Sequence, residues 1–239
     1  MSKISKIKKP NFELISVKNP TWIIKGVVDP HTGYVYPEVG LVNKLLPVRT
    51  QDEHAEHYRK EAKKDGFVSR DAPFHIALFT TLYENRENPE YGNGIEEIRH
   101  FLQESLNHEF LTTLTRIINN PEGLDKVIYN YGLPNEYYKK ANIIGPDGYI
   151  TELAEDQEKR IKLEETLKAV YGTGNIELIN EVFKWITGND AYIVRFNSKP
   201  KEIRESVARF IANSDSACLD CDGDHQDSYS ALGVSALEK

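Results

Sequence analysis

Apolar and polar positions along the chain follow two rhythms, one of strands and one of helices. Residues 21–29, TWIIKGVVD, are apolar and β-branched and predict a strand. PHTG at 30–33 predicts a turn, and YVYPEVGLV predicts a returning strand that Pro37 confines to an edge or ends early. Thr50 and Glu53 make a capping box for a polar helix running to about Lys64, with Gly66 as its stop. Pro73 opens FHIALFTTLYEN, where Phe74, Ile76, Leu78, Leu82 and Tyr83 have the spacing of a buried helix. GIEEIRHFLQESL repeats that spacing through Ile95, Ile98, Phe101, Leu102 and Leu106. Asn175 caps IELINEVFKWIT, with Ile176, Ile179, Val182, Phe183 and Ile186 on one face.

The remaining pieces are less periodic. LTTLTRII suits either strand or helix, ANIIGPDGYIT predicts a hairpin around Pro146, Asp147 and Gly148, residues 152–171 predict a charged helix, and AYIVRF predicts a strand. Strands, then several helices, then strands is the order of an α+β domain, not of a βαβ alternation. Residues 1–20 read as a polar leader and 21–239 as one domain.

Composition narrows the class. With 239 residues, 39% hydrophobic and 28% charged, the chain suits a globular protein. At this size folding buries roughly 70–75% of the unfolded surface, so neither a disulfide nor a metal is needed for stability. A net charge of -7 argues against a nucleic-acid footprint. Lys3, Lys6, Lys8 and Lys9 are followed by no apolar stretch of a signal peptide, and no run approaches the ~18 apolar residues of a membrane span. A cell interior, or a particle assembled there, is the expected location.

Most candidate chemistry is incomplete. Cys218 and Cys221 give one C-x2-C pair with His225 nearby, but a structural zinc needs four ligands and no second cysteine pair exists. A metal protein or an uncharacterised enzyme using Cys218, Cys221, His225 and nearby aspartates is the alternative reading. Asp220, Asp222 and Asp224 imitate a calcium loop, yet Gly223 and Ala231 fall where an EF-hand has other residues. His54 and His57 lack the i, i+4 spacing of a zinc protease and predict an exposed face of a charged helix. His75, His100 and His108 predict packing or surface positions. No phosphate-binding loop, dinucleotide fingerprint or nucleophile elbow occurs, so no catalytic residue and no cofactor are expected.

The segment around SDSACLDCDGDHQDSYSALGV is different. Neither Lys nor Glu occurs from Ser206 to Leu237, although both are common elsewhere. From Ala212 to Ser235, every residue except Gln226 is of a type that a pyrimidine-ending codon can encode. Those types are what results when the first two adenines of an Asn-type codon are altered. Ala217, Leu219 and the run Ala231, Leu232, Gly233, Val234 read as frame residues between them. In this the segment from about Arg209 to Val234 resembles the variable region of a target protein of a diversity-generating retroelement. The resemblance implies a C-type-lectin-like fold of the formylglycine-generating-enzyme type, with small antiparallel sheets, flanking helices and here an enlarged helical middle. It also implies a non-catalytic surface for a protein or other surface ligand, with its specificity in Asn213, Ser214, Asp215, Ser216, Cys218, Asp220, Asp222, Gly223, Asp224, His225, Asp227 and Tyr229. The closing residues Leu232-Gly233-Val234 stand where the family carries Gly-Phe-Arg, and VARFIANSDSA stands where it opens with Gly-Gly-Ser-Trp. Short polar residues with Tyr are the chemistry of adaptable binding surfaces. Five aspartates, Asp215, Asp220, Asp222, Asp224 and Asp227, predict a ligand bearing Lys or Arg. The two cysteines are expected to be varied surface positions.

Overall fold

The computed structural model describes residues 12–17, 21–29, 33–61 and 66–235. The first described strand, β1 (Glu13–Val17), pairs antiparallel to β2 (Thr21–Lys25). The polar leader expected over 1–20 therefore contains a strand, anchored by buried Leu14; residues 1–11 and 18–20 lie outside the described residues. Gly26 adopts φ 81, a conformation open chiefly to glycine, and divides the expected first strand into β2 and β3 (Val27–Val28). Its partner is divided too, into β4 (Val35–Tyr36) and β5 (Val39–Val42), on either side of Pro37. β3 pairs with β4 and β2 with β5. Of the expected turn at 30–33, residues 30–32 lie outside the described residues.

After β6 (Leu46–Arg49) comes α1 (Gln51–Glu61). Its capping box is made as expected: Glu53 N–H donates to Thr50 Oγ1, and Thr50 N–H donates to a Glu53 carboxylate oxygen at 2.8 Å. The expected end near Lys64 lies outside the described residues. β7 (Phe67–Val68) leads to α2 (Ala72–Glu84), capped by Asp71, and to α3 (Gly92–His108). Next come β8 (Leu111–Asn119), β9 (Asp125–Tyr129) and β10 (Tyr137–Ala141) as an antiparallel meander. LTTLTRII is thus a strand, and its row of threonines suits a pleated, buried surface.

β11 (Gly148–Tyr149) does not form the predicted hairpin around Pro146. It pairs instead with distant β12 (Ala191–Val194), Tyr149 opposite Tyr192. The predicted charged helix is two helices, α4 (Ile150–Leu153) and α5 (Gln157–Tyr171). Asp156 restarts the second by accepting from Glu158 N–H and Lys159 N–H, competing with helix continuation. α6 (Ile176–Thr187) begins at the expected Asn175 cap. The last described strands are β13 (Arg204–Ala212), β14 (Ala217–Asp224), β15 (Tyr229–Ala231) and β16 (Val234–Ser235).

The result is an α+β fold with six helices among the described residues. One sheet runs β1-β2-β5-β16-β7 and the larger one β10-β9-β8-β13-β14-β12-β11, with β15 bridging β6 and β8. The first and last described strands, β1 and β16, share the first sheet, and β2 does not pair with β16. Val27 and Val28 face Tyr36 and Val35, while Val234 lies between Leu41 and Val68, so β5 separates β2 from β16. A single main core cluster draws on both sheets and on α2, α3, α5 and α6. Phe79, Phe183 and Phe210 meet at its centre, with ring centroids 5.8–6.1 Å apart. Buried His75 packs edge-on against this group, as the spacing predicts.

Candidate functional site

β14 carries the centre of the unusual segment. It is an interior strand, antiparallel to β13 on one side and parallel to β12 on the other. Side chains on a strand alternate in direction, so the strand has two different faces. Ala217, Leu219 and Cys221 point into the core and are buried. Cys218, Asp220 and Asp222 point the other way. The two cysteines, three positions apart, are thereby placed on opposite faces and do not converge on one point. His225 is held at the strand's end, its Nδ1 3.2 Å from the carbonyl oxygen of Glu205. The ligand set of the metal alternative is not assembled, and among the described residues no three His, Cys, Asp or Glu groups are clustered to hold a metal ion.

Cys221 corrects the expectation that both cysteines are surface positions. It is fully buried, with its Sγ 3.6 Å from the Tyr171 hydroxyl, and burial pushes its thiol pKa up to about 12. Cys218 is half-buried; desolvation raises its pKa too, so both thiols stay protonated at neutral pH.

The outward face is built from rows across strands. Tyr149, Tyr192, Cys218 and Ile211 form one row by register, all half-buried, with the two tyrosine rings in a T-shaped pair at 5.3 Å. Val194, Asp220 and Arg209 form the next. Arg209 Nε donates to an Asp220 carboxylate oxygen at 2.7 Å, and the other oxygen accepts from Asp222 N–H. The Arg209 guanidinium then lies 4.2 Å from the Phe110 ring and 4.7 Å from the Tyr229 ring. Arg204 donates to Asp222 at 2.6 Å and stacks over Phe196. Burial raises the Asp222 pKa against the lowering influence of Arg204.

Loops close both ends of this face. At one end the β13–β14 turn is organised by Asn213, whose side-chain oxygen accepts from Asp215 N–H and Ser216 N–H; Ser214 and Asp215 are exposed. Tyr149 donates its hydroxyl to the Asp215 carbonyl, and Asn189 donates to the Asn213 carbonyl. At the other end Asp224 accepts from Gln226 N–H, and Tyr229 donates its hydroxyl to Asp227. Desolvation, with that bond, pushes the Tyr229 pKa up to about 12.

Four of the twelve candidate positions are therefore framework in their side chains. Asn213 holds the turn, Ser216 is buried, and Asp220 is buried in its pair with Arg209. Gly223 sits where the β13–β14 register shifts, and a Cβ there would come within 2.8 Å of Arg209 Nε and of the Val207 carbonyl. Ser214, Asp215, Cys218, Asp222, Asp224, His225, Asp227 and Tyr229 remain exposed or half-exposed. The acidic character is also redistributed. Asp220 and Asp222 are paired with arginines, leaving exposed Asp215, Asp224 and Asp227 at the ends of the face.

Two further findings concern residues the sequence reading placed elsewhere. His54 is not on an exposed helix face. It is buried, and its Nε2 lies 3.0 Å from the carbonyl oxygen of Tyr229, supporting the second loop from beneath. Tyr149, Tyr192 and Phe110 belong to the same face but lie outside the stretch without Lys and Glu, and Arg209 and Ile211 lie inside it without having been counted among the binding positions. Alternation in AYIVRF was the available signal for Tyr192 and alternation in ESVARFIA that for Arg209 and Ile211; none marked Phe110 or Tyr149.

No protein-family model matches the chain, and no curated protein and no solved structure is significantly similar to it. Among the described residues, no helix is long and apolar enough to cross a membrane.

Proposed function

We propose that the chain is a non-catalytic ligand-binding protein whose recognition surface is the outward face of β12, β14 and β13 with the loops at 213–216 and 224–229. The observation that carries this reading is the division of β14. Its inward side chains are committed to the core, while Cys218 and Asp222 and the loop residues Ser214, Asp215, Asp224 and Asp227 are presented on a hydrogen-bonded frame. A recognition site needs that combination of fixed backbone and replaceable side chains. The partner suited to it is a protein surface with an apolar centre and a basic rim. Tyr149, Tyr192, Ile211, Phe110 and Tyr229 supply apolar and aromatic area, and Arg and Tyr are the residues that dominate binding energy at interfaces. Exposed Asp215, Asp224 and Asp227 supply the charge that steers a basic partner.

In the same reading this surface is rewritten by adenine-directed mutagenesis from a retroelement, on a lectin-like scaffold. Two points support it: the composition of residues 212–235, all but Gln226 of types that pyrimidine-ending codons can encode, and the presence of the first and last described strands in one sheet. The test is the DNA beside the coding region. The reading expects a reverse-transcriptase gene and a near-identical repeat of the last coding segment that differs only where the repeat has adenine. Differences scattered over all four bases, or no repeat, would remove the diversification claim.

A further inference from the structure

His54 sits where the candidate face meets the helix beneath it. Its side chain is fully buried, and its Nε2 lies 3.0 Å from the carbonyl oxygen of Tyr229. A carbonyl oxygen only accepts, so Nε2 carries the proton and the neutral ring has a bare Nδ1. That Nδ1 is buried and meets no hydrogen-bond partner among the described residues. A second proton there makes a cation in a closed site without an acceptor for its new N–H. Arg49 of β6 and His57 of α1 oppose that charge, and Glu53 of α1 favours it. β15 contributes Tyr229, whose phenol donates to Asp227.

Hydrating the charged ring requires one side of the site to move. The α1 side is fixed. Gln51 donates to the Thr113 carbonyl and accepts from Arg116, Asp52 pairs with Arg116, and Ala55 and Tyr58 are buried in a cluster with Val68, Leu114 and Leu133. The strand side is slight. β6 has four residues and β15 three, their register shifts between Tyr229 and Ala231, and Asp224, Gln226, Asp227 and Ser228 before them are exposed. Few buried contacts and exposed backbone are the marks of a segment that opens locally. Tyr229 joins this side to the face: its ring lies 4.7 Å from the Arg209 guanidinium and 5.8 Å from the Phe110 ring.

We propose that protonation of His54 releases the Tyr229 end of the candidate face, so that binding there is sensitive to acid. As regulation of binding this rests on the recognition reading above; the release itself does not.

The experiment is amide hydrogen exchange of the full chain at about pH 7 and about pH 5, corrected for the pH dependence of exchange in free peptides. A ring that titrates near 6.5 when the loop is open and about 4 when it is closed predicts that protection over residues 224–231 falls about 20-fold between those conditions. The α1 amides keep their protection. In H54Q, whose side chain cannot take up the proton, the fall is absent. Unchanged protection in the native chain, an equal fall in H54Q, or a matching loss throughout α1 would each overturn the proposal. If H54Q does not fold, the native chain decides: the His54 ring titration, followed by NMR, must run together with the loss of protection, and a protonated ring beneath a still-protected loop overturns the proposal. No ligand enters the measurement. Failure of the release therefore leaves the recognition reading standing, and a partner found to bind elsewhere on the chain would remove that reading but not the release.

Discussion

The two faces of β14 share a backbone but obey different rules. The inward face is closed: Leu219 and Cys221 are fully buried against residues from helices and other strands. The outward face mixes three kinds of position. Asp220 is locked by Arg209, Cys218 and Asp222 are partly covered, and Asp224 is exposed. A polar-looking segment can therefore be half core. Composition alone cannot divide it, because alternation decides which side chains meet solvent.

The sharpest break between the faces is expected from Leu219→Ala. It should destabilise by about 2–5 kcal/mol in urea unfolding, the usual cost of emptying a buried leucine site. Asp222→Ala, on the outward face, should cost far less, within about 1 kcal/mol even with the loss of its pair with half-exposed Arg204. Similar losses for the two would erase the distinction.

The next effect concerns how the outward loop is supported. Burial lowers the His54 pKa from 6.5 to about 4, with the Tyr229 carbonyl bond opposing the shift. The unfolded chain then binds a proton at this site before the folded one does. Its contribution to stability is complete above about pH 6.5 and is lost as pH falls toward 4. His75 shares that behaviour. Acidification through this window should lower the unfolding free energy of the native chain, and by less in His54→Gln. An equal fall in both would show that His54 does not titrate as its burial implies.

The smallest effects come from the cysteines. Cys221→Ser places a hydroxyl in a closed site and should cost roughly 1–2 kcal/mol. Cys218→Ser should change stability by less than about 0.5 kcal/mol. Reversed magnitudes would mean that the faces of β14 have been exchanged.

Much of the scaffold was legible in the sequence because its signals are local. The α6 stripe, the Asn175 cap and the Thr50/Glu53 box each act within a few residues, and all are present. The partner of β11 was not legible. Gly148 and Tyr149 sit beside a turn sequence, and nothing local points to Ile193 and Tyr192 more than forty residues on. β9 and β10 were missed because Asp125, Lys126, Lys139 and Lys140 dilute the strand pattern at a sheet end. The candidate face was partly legible. Its short polar residues stand out in composition, but the framework roles of Asn213, Asp220 and Gly223 arise from a turn, an ion pair and a register shift that only the assembled sheet contains.

The central claim is that the presented positions are separable from the frame that holds them. The most direct measurement is thermal unfolding of one variant carrying S214A, D215A, C218S, D222A, D224A, D227A and Y229S together, with Asn213, Asp220, Cys221 and Gly223 retained. The separation predicts a single cooperative transition with a melting temperature within several degrees of the native chain, since the replaced side chains are exposed or half-exposed and their bonds and ion pair lie at the surface, where each costs little. Loss of the cooperative transition, or a fall as large as that of Leu219→Ala, would contradict it.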